Sequence, residues 1–176
     1  MGIFTINATG LEWIGGPEDD PKDLCLHGHA EARIGERTVE FHATVSATAL
    51  YLLKTLTEDH IINEDNQMLP CCGHFMVPNA ALDNVVILGC DQGVDWSVIR
   101  EGDNVKLVLE DGYEETVAPD DYKAEVFRFA DAIEAYYASC KPKTPEDEFS
   151  RTAYKAFWNE WHRRRGPRPK KGGGMK

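Results

Sequence analysis

Residues 24–34 alternate strictly between apolar and polar. Leu24, Leu26, Ala30, Ala32 and Ile34 share one side with Gly28, and Cys25, His27, His29, Glu31 and Arg33 share the other. That period of two is the signature of a half-buried strand. Residues 39–45 repeat it, with Val39, Phe41, Ala43 and Val45 set against Glu40 and His42, and "GERT" carries the turn between. The apolar positions are even-numbered in the first strand and odd-numbered in the second. Opposed residues must therefore have numbers that sum to an odd value, or the faces would not match. A two-residue loop opposes Glu31 to Glu40. A four-residue loop opposes Arg33 to Glu40 and Glu31 to His42. Opposite charges across a ladder gain roughly a few tenths of a kcal/mol, so charge predicts the four-residue loop.

The same pattern organises the rest of the chain. "IFTINATGLEWI" opens with a strand, and "PEDDPKD" is an acidic loop. Val45, Ala49, Leu52, Leu53 and Leu56 recur at helical spacing, which predicts a short amphipathic helix with Ser46 as its N-cap. "NVVILGC", "VDWSVIRE", "NVKLVLED" and "YEETV" read as four consecutive strands joined by "DQG", "GD" and "DG". Links this short predict an antiparallel meander, and Asp111-Gly112 is a two-residue hairpin signal. Apolar stripes over 120–140 and 147–164 predict two closing helices, with Tyr154, Phe157, Trp158 and Trp161 on one face of the second as core packing. The expected fold is α+β: a predominantly antiparallel sheet, built from a hairpin and a four-strand meander, covered by about three helices.

With 176 residues and 42% hydrophobic composition the chain is long enough for one ordinary core. The net charge is −11, but all seven basic residues from Arg163 onward lie in an acid-free end. Residues 1–162 hold 12 basic against 30 acidic side chains, a balance of −18. The expected organisation is a single domain over 1–162 and a basic, flexible tail over 163–176. A body this acidic repels nucleic acid and anionic membrane and attracts a basic protein partner. The acids best placed to reach one are Glu18, Asp19 and Asp20 in a loop and Glu114 and Glu115 at a hairpin tip. The N-terminus lacks the basic start and apolar run of a signal peptide, and no stretch approaches the ~18 apolar residues of a membrane span. A reducing, cytoplasmic setting with five free thiols is the expectation.

Two clusters carry candidate metal chemistry. Cys71, Cys72, His74 and the later Cys90 supply the thiolate and imidazole donors that zinc takes in a tetrahedron. Their spacing argues against it, because adjacent residues in an extended chain point to opposite sides, and a knuckle needs a tight turn at Gly73. A buried turn is the expected alternative, since cysteine is among the most buried residue types. His27, His29 and His42 project from one side of the first hairpin, a second arrangement that can hold a metal. That face also carries Arg33 and Thr44, as a solvated face does, so no cofactor is expected there. Asp91 and Asp95 are expected to form turns. No P-loop, dinucleotide fingerprint or nucleophile elbow is present, and no catalytic residue is assigned.

The stretch "GCDQGVDWSVIREGDNVKLVLEDG", residues 89–112, resembles small acidic immunity-type proteins of bacterial polymorphic-toxin loci. The resemblance implies a non-catalytic interaction protein that blocks a basic partner. The alternative class is a small metal- or thiol-dependent enzyme built on one of the two clusters.

Overall fold

Each alternating segment forms a strand because it presents a whole apolar row to one side. The structure, a computed structural model, describes residues 2–16, 18–62, 65–73 and 75–168. β1 (Phe4–Trp13), β2 (Leu26–Ile34) and β3 (Arg37–Thr44) make an antiparallel sheet in the order β1-β2-β3. Leu26, Ala30, Ala32 and Ile34 are buried on its inner face, while His29, Glu31, Glu40 and His42 are exposed on its outer one.

The β2–β3 loop has two residues, not the four that charge favours. Ile34 faces Arg37, Glu31 faces Glu40 and His29 faces His42. Gly35 decides this. Its φ of +59° suits the first central position of a type II′ turn, whose twist matches that of the flanking strands. A Cβ on Gly35 would also lie 2.5 Å from the Tyr113 hydroxyl. Turn geometry outweighs the small gain from pairing opposite charges. Glu40 finds His29 at 3.4 Å instead, and Arg33 donates to the carbonyl of Gly35.

The four-strand meander is also corrected. β8 (Trp96–Glu101), β9 (Asn104–Leu109) and β10 (Glu114–Val117) form a three-stranded meander. β6 (Val85–Leu88) pairs instead with β5 (Phe75–Pro78). The cause lies between β6 and β8. There β7 (Gly93–Val94) pairs back onto β4 (Leu69–Pro70), so the chain cannot fold directly from β6 into the meander. At Asp111-Gly112 the loop is longer than two residues. Gly112 N donates to Leu109 O, Leu109 N donates to Tyr113 O, and Gly112 takes φ +83°, the three-residue loop in which a type I turn is followed by a left-handed residue. Every described strand pair is antiparallel, and the fold is α+β.

Three helices complete it: α1 (Val45–Thr55), α2 (Pro119–Ser139) and α3 (Glu148–Arg165). α1 is central rather than amphipathic. Every residue but Lys54 is buried, because β2, β3, β4, α2 and α3 all pack around the helix. Its N-cap is Thr44, not Ser46, and the Thr44 hydroxyl serves Cys71 O at 3.0 Å instead of the helix end. α2 lies on β1 and α1 through Tyr122, Val126, Phe129 and Ile133. α3 starts on an Asp147 cap, packs on β5, β6 and α1, and buries Phe157 and Trp161. It runs past the expected domain end at 162. Arg164 pairs with Glu160 at 2.7 Å and Arg165 with Asp131 at 2.8 Å, so the first basic residues assigned to the tail are part of the helix. Residues 169–176 lie outside the described residues. Among those described, no helix is long and apolar enough to cross a membrane.

Candidate functional site

The β5–β6 ribbon and the thiols at its base stand out from the rest of the surface. β5 and β6 pair Phe75 with Leu88, Met76 with Ile87, Val77 with Val86, and Pro78 with Val85. Period two sends Met76, Val85 and Ile87 inward, where all three are buried. It sends Phe75, Val77, Val86 and Leu88 outward, and they remain 48%, 36%, 56% and 50% exposed. Phe149, at the start of α3, extends this face, its ring 5.8 Å from that of Phe75. Single exposed apolar residues are ordinary, but a contiguous set of five is not.

The ribbon is held firmly beneath that face. Glu160, fully buried on α3, accepts from Val85 N at 2.7 Å. Lys54 donates to Val85 O at 2.8 Å and Tyr51 to Ile87 O at 3.5 Å, so α1 covers the outer edge of β6. The tip is organised by Asn79, whose side-chain oxygen accepts from Asp83 N and Asn84 N, and Asn159 of α3 donates to Leu82 O. A surface held this way pays little ordering cost when something docks on it.

At the base, Cys71 follows β4, Cys72 precedes the ribbon and Cys90 follows it. The β4–β7 ladder draws them together, since Leu69 faces Val94, Pro70 faces Gly93 and Cys71 N donates to Gln92 O at 3.0 Å. Cys71 O accepts from Thr44 Oγ1 at 3.0 Å and lies 3.3 Å from His27 Nε2. Gly73 sits where no side chain fits, because a Cβ there would be 2.6 Å from Ala47 Cβ and 2.7 Å from Thr44 Cγ2. The chain bends at Cys71, after β4, and the three sulfurs come within 4.8 Å of one another. They are the one such group of potential ligands among the described residues. The turn is buried at Gly73, while the three cysteines are half-buried. Cys72 gives its thiol hydrogen bond to Cys90, which together with burial pushes it up to about 12. Cys90, bonded by the Gln92 backbone and by Cys72, is held below the ordinary thiol range. Cys25 is buried, and burial pushes it up to about 12. All five cysteines are free thiols. His74 lies outside the described residues.

The other expected sites are placed differently. His27, His29 and His42 do share one side of the hairpin, with the His27 and His42 rings 5.9 Å apart. They form no ligand group, because each ring has its own separate neighbour. His29 faces Glu40 and His42 faces Glu12, each at 3.4 Å, and His27 is buried against Cys25 O, Thr44 and Cys71 O. Among the acids proposed to meet a partner, Glu18 and Asp20 are exposed. Asp19 is committed within the chain, accepting from Lys141 N and from Lys143 Nζ, which hold its carboxyl below the usual range. Glu115 accepts from the Tyr113 hydroxyl, and Glu114 lies 3.8 Å from Lys106. Asp95 is buried and braces the interior, accepting from Met68 N and Trp96 N and meeting His60 at 2.8 Å. A cleft of about 690 Å³ is lined by Arg100, Arg164 and Arg165, each already paired with a carboxylate.

The exposed ribbon face is what pattern reading missed. Its signal was present in "VVIL", where both parities are apolar, but such a run reads as a strand buried on both sides. No family model, no curated protein and no solved structure matches this chain.

Proposed function

We propose that this protein is a non-catalytic interaction module that docks a basic protein partner on the outer face of the β5–β6 ribbon. The observation that carries this reading is the row Phe75, Val77, Val86 and Leu88, exposed on a ribbon that α1 and α3 hold rigid from behind. An apolar centre with a polar rim is the anatomy of a protein interface. The rim here is charged. Asp83 lies at the tip, where Arg163 donates to its carbonyl, and Asp91 lies at the base. Glu148, beside Phe149, pairs with Arg151, and Glu58, which shares a cleft with Val86 and Lys54, pairs with Arg164. Over residues 1–168, which include the arginines that follow 162 on α3 and just beyond it, 16 basic stand against 30 acidic side chains, and this balance of −14 favours a positively charged protein and speeds its approach. The likeness of residues 89–112 to immunity-type proteins agrees with it, and an inhibitor of a basic toxin such as a nuclease is the form it implies.

The test compares three chains immobilised in extract of the source cell: the natural chain, Val86→Glu/Leu88→Glu, and Glu31→Lys/Glu40→Lys as a surface control. The reading expects a protein of net positive charge, released by salt, that binds the natural chain and the control. Its affinity for the ribbon variant should be weaker by roughly tenfold or more, at least about 1.4 kcal/mol. Equal capture by all three chains would overturn the docking site. Loss of self-association in the ribbon variant, with no partner lost, would assign the face to a second copy instead.

A further inference from the structure

We propose that Cys71, Cys72 and Cys90 together hold one thiophilic d¹⁰ metal ion, Zn²⁺ or Cu⁺, that clasps the base of the β5–β6 ribbon. This stands on the sulfur geometry alone and does not depend on the docking reading.

The three Sγ atoms lie within 4.8 Å of one another. Zinc bonds thiolate at about 2.3 Å, so two sulfurs on one tetrahedral ion stand about 3.8 Å apart. Each pair therefore has to close by at most about 1 Å, within the reach of side-chain rotation. Adjacent cysteines in an extended chain point apart. These do not, because the bend after β4 turns both sulfurs toward Cys90. Hydrophobic packing does not explain the cluster either. A cysteine that packs as a small apolar residue is buried, as Cys25 is, whereas these three are half-exposed and open to an ion from solvent.

The surroundings hold the backbone in place before any ion arrives. Cys71 N is tied to Gln92 O, and Cys71 O is held by Thr44 and faces His27. Such outer contacts orient ligands and contribute to affinity. Soft thiolates select zinc, Cu⁺ or iron–sulfur clusters among the biological metals. Three thiolates satisfy a trigonal Cu⁺, and on Zn²⁺ they leave a fourth position to water. Binding transfers no electron. Each thiol gives its proton to solvent, so up to three protons leave per ion bound. Cys72 and Cys90 flank residues 73–89, and an ion held by both closes that segment at its base.

The test uses the full chain, purified reduced and without an affinity tag, then equilibrated with Zn²⁺ or Cu⁺ under exclusion of air. After removal of free metal, one ion per chain is expected. It should be lost in Cys72→Ser and in Cys90→Ser and kept in Cys140→Ser, and competition between the two ions identifies the preferred one. Co²⁺ in place of Zn²⁺ should show sulfur-to-metal charge-transfer absorption that disappears with the same variants. If a serine variant fails to fold, alkylation of the natural chain decides the matter, since metal should shield Cys71, Cys72 and Cys90 while leaving Cys140 unchanged. No retained ion, retention unchanged in Cys72→Ser and Cys90→Ser, or a disulfide among the three that persists under reductant would each overturn the proposal. Partner capture can fail while the metal remains, and the reverse, so the two readings fail separately.

Discussion

β2–β3 and β5–β6 are both antiparallel strand pairs with one face on the core and one in solvent. Their outer faces are opposites. That of β2–β3 carries the polar side chains His29, Glu31, Glu40 and His42, which keep their contact with water, with His29 beside Glu40 and His42 beside Glu12. That of β5–β6 carries Phe75, Val77, Val86 and Leu88, comparably exposed and able to gain only by leaving water. The first face is stable as it stands. The second gains roughly 25 cal/mol for each Å² that a partner covers. Equal exposure thus means different things, and the chemistry of the exposed side chain decides which.

The comparison breaks first at Glu160, which ties the ribbon to α3. It is fully buried, bonded by Val85 N and paired with Lys54 and Arg164. Glu160→Ala leaves buried cations and an amide without their acceptor, and an expected loss of about 3–5 kcal/mol should appear in urea unfolding. A loss no larger than that of an exposed substitution would show that the ribbon is held by something else.

Within the ribbon the two parities should separate cleanly. Ile87→Ala empties a buried site and is expected to cost about 2–5 kcal/mol. Its neighbour Val86→Ala is expected to stay within about 0.5 kcal/mol of the natural chain. Equal effects in a denaturant titration would mean that the outer face is covered by the protein itself.

The smallest effect belongs to the charged face. Glu31 and Glu40 are directly opposed, and Glu40→Lys turns a like-charge pair into an opposite one. A gain of roughly a few tenths of a kcal/mol is expected, shrinking as salt is added. A destabilised variant would place more weight on the contact between Glu40 and His29 than their exposure suggests.

Alternation made much of the fold legible. The face assignment of β2 and β3 followed from period two, which acts residue by residue and requires no knowledge of the partner strand. The helical stripes of α2 and α3 were legible for the same reason. Register was not. It turned on the backbone of Gly35 and on its contact with Tyr113, which lies far along the chain. The candidate sites divided in a similar way. Cys71, Cys72 and Cys90 were readable as a donor set, but whether two adjacent sulfurs can meet a third depends on the bend at Cys71 and on a close approach to Thr44 and Ala47 that only glycine at 73 permits. The histidines shared a face as expected, yet sharing a face did not bring their nitrogens together.

The sequence by itself determined which residues can face a core, how many helices form, and the strong acidity of residues 1–162, because these depend on side-chain type and on short-range periodicity. The tertiary structure alone decided that β6 leaves the meander for β5, that three thiols converge, and that one apolar strand face is left uncovered. Each of these rests on contacts between segments distant in the chain. β7 pairs with β4, Glu160 reaches Val85, and α1 and α3 cover only one side of the ribbon. A local pattern states that a residue favours burial, but only the packing of the whole chain decides whether anything is left to bury it.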